Sequence, residues 1–357
     1  MRASPAAACH RDQAGARAGP AAVYQGARGL TSGPAAARRT FPWGLIGLLA
    51  AYVLLAPPVF FFAPLALLLL LTLPHSGREW LWLAASTVLA IVWSVSGVGN
   101  LASGVAAAVG VMAAGTFVVL GLGTSWSLFR RAMTAGCASL GVAAAWTSVL
   151  GQSWASVQSS FAHGLRQVFN QQADALASRG VEAGAVTQLR AMGESTAQLA
   201  PYFAAFLLLA ALAGLALAAR WHTRLSGRSL GTAAAPFRSF RFSDQAIWLL
   251  VLGLALWLAP LQGGYLLGLS LRIWAANLAV VMAACYALRG LAVYRSAAVH
   301  VPYGVNVALA IVSALFLPIA STGLALLGLS DSWIDFRRRF GVPQPEDGTD
   351  DRSDSAR

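Results

Sequence analysis

The sequence predicts an all-α fold, a polytopic bundle of transmembrane helices, and three observations predict it. Apolar residues make up 57% of the 357 residues and charged residues only 11%, whereas about 25% of residues are charged in ordinary globular proteins. Several apolar runs approach the length of about 20 residues that a helix needs to cross a bilayer core. All 25 basic residues are arginine, and most lie at the ends of these runs. This composition excludes a soluble enzyme, a disordered chain and a disulfide-stabilised scaffold.

The two ends of the chain have the composition of disordered tails. Residues 1–40 contain six arginines, one acid and many alanines, glycines and prolines. They are interpreted as a basic cytoplasmic tail. A start codon assigned too far upstream would add such a segment, and an organelle transit peptide has a similar composition. Residues 341–357 are acidic and also predicted to be disordered. The membrane domain therefore covers residues 41–340.

Two apolar regions near the ends of this domain are interrupted by proline. The first spans Trp43–Leu73, with Pro57, Pro58 and Pro64 in its middle, and the second spans Tyr303–Leu329, with Pro318 in its middle. Proline removes an amide donor and clashes with the preceding helical turn. Each region is therefore either a short helical hairpin or a single kinked span.

Uninterrupted apolar runs lie between these two regions and predict full membrane spans. They lack the alternation of transmembrane strands, so helices must satisfy their backbone groups within lipid. The six predicted spans are Trp80–Ser96, Leu101–Leu122, Ala132–Leu150, Leu199–Ala219, Gln245–Leu261 and Leu266–Leu288.

The arginines predict how these spans are oriented, because basic residues favour the cytoplasmic side. The six spans alternate correctly if the arginine-rich connections are all cytoplasmic. Both termini are then cytoplasmic and each proline-broken region is a hairpin. Single kinked spans would instead place both termini outside, against the charge of Arg38, Arg39 and Arg337–Arg339. The connecting arginines are Arg130, Arg131, Arg220, Arg224, Arg228, Arg238, Arg241, Arg289 and Arg295.

Residues 151–198 form the one sizeable polar segment inside the membrane domain. Three arginines and three acids balance each other there, which gives no cytoplasmic bias. Apolar residues recur at helical spacing on both sides of Gly180, which predicts two amphipathic helices on the outer face. The segment is either a lid or partner surface, or a linker that lies on the bilayer or the bundle.

Two polar residues in the last full span are candidate ligand-binding residues. Arg272 lies about two turns inside the run that begins near Leu266, and charges at membrane depth usually face a cavity or a partner. The alternative is an arginine that reaches outward to the headgroups. Asn277 follows on the same run, where an amide either contacts a ligand or bonds to a neighbouring helix.

A candidate partner motif follows the last apolar region. It combines Asp331, Trp333, Asp335 and Arg337 in the segment Gly328–Arg339. Asp331 and Asp335 are four residues apart, and Asp335 has arginines three and four residues after it, so pairs along a helix are possible there. The motif is either a docking site for a partner protein or an interface anchor with Trp333 among the headgroups.

The sequence predicts neither a catalytic constellation nor a metal site or a cofactor. The five histidines are placed in tails or loops, without cysteine or carboxylate at ligand spacing. No acid lies within a predicted span, and the cysteines Cys137 and Cys285 are interpreted as small buried hydrophobes. Nucleic-acid motifs are absent, so the expected partners are the lipid bilayer, other membrane proteins and, in one interpretation, a small molecule.

The order of several motifs resembles a known family. The residues are Pro236–Arg241 leading into Ile247–Leu249, then Asn277, Leu288–Val293 and Gly328–Arg337. They resemble the YybS-like family of predicted bacterial membrane proteins, a domain of unknown function, over residues 43–340. That family has been thought distantly similar to the S-components of energy-coupling-factor transporters, which implies six core helices and an outward pocket. The Ala-xxx-Ala contact of their first helix is absent, because Ala50 and Ala51 are followed four residues later by leucines.

Two functions follow as hypotheses. The first is a non-enzymatic integral protein of a bacterial inner membrane, with a structural, assembly or regulatory role. The second is a substrate-binding subunit of a small-molecule transporter. A cavity covered by residues 151–198 and lined by Arg272 and Asn277 would favour the second hypothesis, and a packed bundle would favour the first.

Overall fold

The computed structural model describes residues 59–96, 99–228, 236–259, 265–266, 269–298, 301–334 and 336. Both predicted tails and the first half of the Trp43–Leu73 region lie outside these residues. The helices are α1 (Val59–Leu71), α2 (Gly77–Ser96), α3 (Leu101–Gly123), α4 (Leu128–Val149), α5 (Trp154–Ala177), α6 (Ala183–Ala197), α7 (Phe203–Ser226), α8 (Ile247–Leu258), α9 (Leu271–Ala297), α10 (Tyr303–Leu315) and α11 (Leu317–Ile334).

Helices dominate the described residues, as the sequence predicts, and the exceptions are short. A two-residue antiparallel pair, β1 (Tyr265–Leu266) and β2 (Leu269–Ser270), precedes α9. Single turns of 3-10 helix occur at Ala200–Tyr202, Phe237–Ser239 and Asp244–Ala246.

Six helices are long and apolar enough to span a membrane, namely α2, α3, α4, α9, α11 and the segment Ala200–Ser226 that contains α7. Five of them overlap predicted spans. The predicted span Gln245–Leu261 is wrong in length, because α8 has 12 residues. Ala259 ends α8 in an extended conformation (φ −63°, ψ 138°), the conformation that a following proline enforces.

The last apolar region supplies the sixth long helix. It divides at Phe316 into α10, with 13 residues, and α11, with 18. Phe316 has φ −108° and ψ 42°, outside helical geometry. Pro318 follows two residues later and lacks the amide donor that a continuous helix requires there. That the two helices form a hairpin in the membrane stays a prediction.

The core of the bundle is formed by α1, α3, α4 and α7. Side chains of α1 such as Val59, Leu65 and Leu69 have no exposed surface. Gly110 of α3 faces α1, where an added Cβ would lie 2.7 Å from a methyl of Val59. Gly136 of α4 faces α7 at a similarly short distance of 2.6 Å. Small residues thus let these helices approach closely, which is how helices associate when lipid supplies no hydrophobic drive.

The polar segment 151–198 contains the two helices that its pattern predicts, α5 and α6, which pack against each other. Gly180 lies between them with φ +75°, a left-handed conformation that glycine adopts without strain. Ser160 of α5 hydrogen-bonds Asn100, which caps the first turn of α3. The segment therefore sits at the end of the bundle opposite to Arg130 and Arg131, which lie in the first turn of α4.

Candidate functional site

A buried ion pair joins α9 to α11. The guanidinium of Arg289 donates from Nε to Oδ2 of Asp331 at 3.0 Å, and from Nη2 to the backbone carbonyl of Asp331 at 3.3 Å. Both side chains have no exposed surface. Charges removed from water at this depth are tolerated only when they are paired and hydrogen-bonded.

A third segment also contacts Arg289. Its Nη1 donates to Oδ1 of Asp244 at 2.7 Å, and its guanidinium carbon lies 5.7 Å from the ring centroid of Phe242. Asp244 belongs to the 3-10 turn that leads into α8, and its side chain is 59% exposed. Arg289 therefore ties together α9, α11 and the start of α8.

Two glycines explain why α9 and α11 come close enough for this pair. An added Cβ on Gly290 would lie 2.8 Å from the carbonyl carbon of Leu324 and 2.9 Å from the backbone nitrogen of Gly328. An added Cβ on Gly328 would lie 2.6 Å from the nitrogen of Gly290. Real Cβ atoms essentially never approach backbone so closely. The two helices thus touch backbone to backbone directly beside Arg289.

Asn277 is inserted into a hydrogen bond of the neighbouring helix. In a regular helix the amide of Ala205 would donate to the carbonyl of Pro201. Here Ala205 donates to Oδ1 of Asn277 at 2.9 Å, and Nδ2 of Asn277 donates to Pro201 at 2.8 Å. The same carbonyl also accepts from Gln158 of α5 at 2.9 Å. Asn277 is buried, its amide links α9 to the start of α7, and the carbonyl of Pro201 joins α5 to the same group of bonds.

The structure separates Arg272 from Asn277, although both lie on α9. Arg272 is exposed, and its guanidinium carbon lies 5.9 Å from the ring centroid of Trp257 on α8. Such a contact between a cation and an aromatic face is favourable at exposed sites. The two candidate ligand-binding residues thus have different surroundings, one at the surface and one between helices.

The candidate partner motif is divided in the same way. Asp331 is fully buried against Arg289, whereas Trp333 is 70% exposed. Asp335 and Arg337 lie outside the described residues. Asp331 is hydrogen-bonded to Arg289, an arginine of another helix.

Three expectations from the sequence are wrong. An acid does lie within a long apolar helix, because α11 continues past Leu329 to Ile334 and includes Asp331. Not all histidines lie in tails or loops, since His222 is buried within α7 and His163 lies within α5. Cys137 is exposed, while Cys285 is buried.

Arg289 and Asp244 were not recognised as a site from the sequence. Arg289 was interpreted as a marker of orientation at the end of an apolar run and as part of the family motif Leu288–Val293. The signal in the sequence was the dipeptide Arg289–Gly290, a charge beside a small residue. Both residues lie inside a helix, because α9 extends about two turns beyond the predicted end at Leu288. In the described ranges no three His, Cys, Asp or Glu residues are grouped so that they could hold a metal ion.

Comparison with known protein families assigns the chain to a family. The model of the family described as "Predicted membrane protein (DUF2232)" matches residues 44–332, which include Asn277, Arg289 and Asp331. No curated protein matches the chain, and no solved structure does so either.

Proposed function

Because the chain belongs to the DUF2232 family of predicted membrane proteins, we propose that it is a non-enzymatic component of a bacterial inner membrane that holds or assembles other membrane proteins. This proposal rests on what the buried polar side chains are hydrogen-bonded to. Asn277, Arg289 and Asp331 are bonded to neighbouring helices of the same chain. Polar groups at membrane depth that hold helices together serve packing, whereas a reaction or transport site would direct them into a cavity.

The apolar helix α10 supports the part of the proposal that concerns partners. It has 13 residues, and none of its side chains is buried by the rest of the described chain. A helix of that length is about 20 Å long, shorter than a bilayer core of about 30 Å. A neighbouring membrane protein that packs on α10 would complete its surroundings.

Crosslinking in living cells tests this proposal. A photoreactive residue replaces Ile311 of α10, which is 64% exposed, or Ile91 of α2, which is 58% exposed and serves as the matched control. We expect one defined protein to be crosslinked from position 311, with lipid as the only adduct at position 91. Lipid adducts alone at both positions would contradict the proposal.

The transporter hypothesis predicts a different result, which an experiment on the purified protein can test. A screen of vitamins and other small metabolites for thermal stabilisation would find one strong ligand, and Arg272→Ala would abolish its effect. We instead expect no compound to stabilise the protein, because the amide of Asn277 is already hydrogen-bonded to Pro201 and Ala205. A ligand whose effect depends on Arg272 would replace the assembly proposal with the transporter one.

We also propose the orientation that the arginines predict, with both termini in the cytoplasm. In a variant without native cysteines, Ser178→Cys tests the α5–α6 segment and Thr223→Cys tests the basic end of α7; both positions are exposed. A maleimide that cannot cross membranes should label position 178 in cells with a permeabilised outer membrane. It should label position 223 only after the inner membrane is opened, and the reverse pattern would invert the topology.

A further inference from the structure

A small polar pocket lies where α1 ends, α2 begins and α7 ends. It is separate from the Arg289 site and from the residues used in the proposed function. It lies among the arginines of the basic end, because Arg220 and Arg224 occupy the last turns of α7. The lining residues are Thr72, Leu73, His75, Glu79, Ser226 and Arg228.

The α1–α2 corner that forms one wall is tightly defined. Ser76 and Glu79 form a capping box at the start of α2, in which Ser76 Oγ accepts from the Glu79 amide at 3.3 Å. Oε2 of Glu79 accepts from the amides of His75 at 2.7 Å and Ser76 at 3.3 Å. Leu73 has φ +52°, the one non-glycine residue with a positive φ in the described ranges. Such a conformation costs free energy and persists only where the surrounding structure enforces it.

Two residues that line the pocket, Thr72 and Ser226, contact a buried histidine of α7. His222 is 1% exposed, and its Nε2 lies 3.2 Å from Thr72 Oγ1 and 3.3 Å from Ser226 Oγ. Each hydroxyl is within donor distance of a backbone carbonyl, Thr72 to Leu68 at 3.1 Å and Ser226 to His222 at 2.9 Å. With their protons used there, both hydroxyl oxygens are oriented to accept from Nε2–H.

Charges of both signs face this pocket. Arg228 donates from Nη1 to the carbonyl of Thr72 at 3.3 Å, which holds the guanidinium over the end of α1. Glu79 of α2 also lines the pocket, and its carboxylate accepts from two backbone amides through Oε2. The lining of the pocket thus includes a cation, an anion and the hydroxyl groups of Thr72 and Ser226.

Aromatic residues place this pocket at the depth of lipid headgroups. Trp80 and Trp82 lie in the first turns of α2, and Trp82 packs edge-on against Trp221 of α7 with 5.6 Å between ring centroids. Trp80 is 56% exposed. Tryptophan is enriched where the hydrocarbon core meets the headgroups.

We propose that this pocket binds the headgroup of an aminophospholipid. The phosphate pairs with the guanidinium of Arg228, and the primary ammonium pairs with the carboxylate of Glu79. A purely anionic headgroup would meet the charge of Glu79 unfavourably. A quaternary ammonium has no N–H to donate to that carboxylate. The pocket therefore selects phosphatidylethanolamine over phosphatidylglycerol and phosphatidylcholine.

Lipid retention by the purified protein tests the selection. The full chain is placed in nanodiscs that contain phosphatidylglycerol with either phosphatidylethanolamine or phosphatidylcholine, and bound lipids are counted by native mass spectrometry. Wild-type protein should retain phosphatidylethanolamine about threefold to fivefold more than phosphatidylcholine, as expected for one partly exposed ion pair. Equal retention of the two lipids would overturn the proposal.

Two variants and one control assign the charges. Glu79→Gln keeps the capping box, since glutamine also caps at this position, and should abolish the preference between the two lipids. Arg228→Gln should lower retention of both lipids about threefold to fivefold, whereas Arg224→Gln, an exposed arginine one turn earlier, should change neither. A preference that survives Glu79→Gln would refute the role of the carboxylate. Displacement of the lipid by equimolar glycerophosphoethanolamine would show that the pocket serves a soluble ligand instead.

Discussion

Removal of Arg289 should strongly destabilise the protein. Arg289→Met leaves the carboxylate of Asp331 buried without its guanidinium, and both side chains have no exposed surface in the folded protein. Breaking such a pair costs about 3–5 kcal/mol. The folding equilibrium should therefore fall by about two to three and a half orders of magnitude.

The environment of Asp244 sets the comparison. Its side chain is 59% exposed and bonds the same guanidinium at 2.7 Å. Water and salt screen such a pair, so Asp244→Asn should cost at most about 1 kcal/mol. The double variant Arg289→Met/Asp331→Leu should recover to within about 1 kcal/mol of wild type, because an apolar pair avoids the desolvation of two charges.

Unfolding of the purified protein in mixed micelles with an increasing fraction of dodecyl sulfate measures these free energies. Wild type, Arg289→Met, Asp331→Leu and the double variant form a double-mutant cycle, and Asp244→Asn is a fifth protein that serves as the matched control. The reasoning would be refuted if Arg289→Met cost no more than Asp244→Asn. It would also be refuted if the double variant lost the sum of the two single losses, since the pair would then contribute no coupling.

Three further predictions use the same unfolding assay or a simple labelling assay. Gly328→Ala should lose about 1–3 kcal/mol, because its Cβ would lie 2.6 Å from a backbone nitrogen of α9, whereas Gly323→Ala, with open space around it, should be tolerated; equal losses would contradict the backbone contact. Asn277→Leu should lose about 0.6–1.7 kcal/mol, because three buried hydrogen bonds disappear, and an unchanged free energy of unfolding would show that the amide contributes nothing. N-ethylmaleimide should modify Cys137 and Cys285 rapidly only after unfolding, because Cys137 lies midway along the membrane-spanning helix α4, away from water, and Cys285 is buried; rapid modification of Cys137 in the folded protein, seen by mass spectrometry of the digest, would contradict this.

The hydrophobic pattern predicted most of the helices correctly. Five of the six predicted spans are long helices, and the two helices on either side of Gly180 are also present. The span Gln245–Leu261, which was predicted too long, shows the weakness of the pattern. Apolar composition continues through Ala259, but the following proline ends the helix after 12 residues. Length along the sequence and length as a helix therefore differ there.

The roles of the candidate site residues were harder to predict than the helices, because these roles depend on which residues face them. The sequence allowed Asn277 to bond either a ligand or a helix, and the structure has its amide between Pro201 and Ala205. Asp331 was assigned to a motif for an external partner, and it is buried against an arginine 42 residues earlier in the chain. Local spacing cannot reveal such a partner.

The sequence alone therefore determined the solvent of this protein and the periodicity of its backbone. A chain with 57% apolar residues and long uninterrupted runs must satisfy its amide groups within helices inside a bilayer. Only the tertiary structure decided which helix meets which. Lipid is as apolar as leucine, so the apolar runs do not specify their neighbours, and the choice falls to small residues and rare polar groups. Gly290 and Gly328 form a close backbone contact only as a pair, and Arg289 and Asp331 form an ion pair. Both pairs arise only when α9 and α11 come into contact.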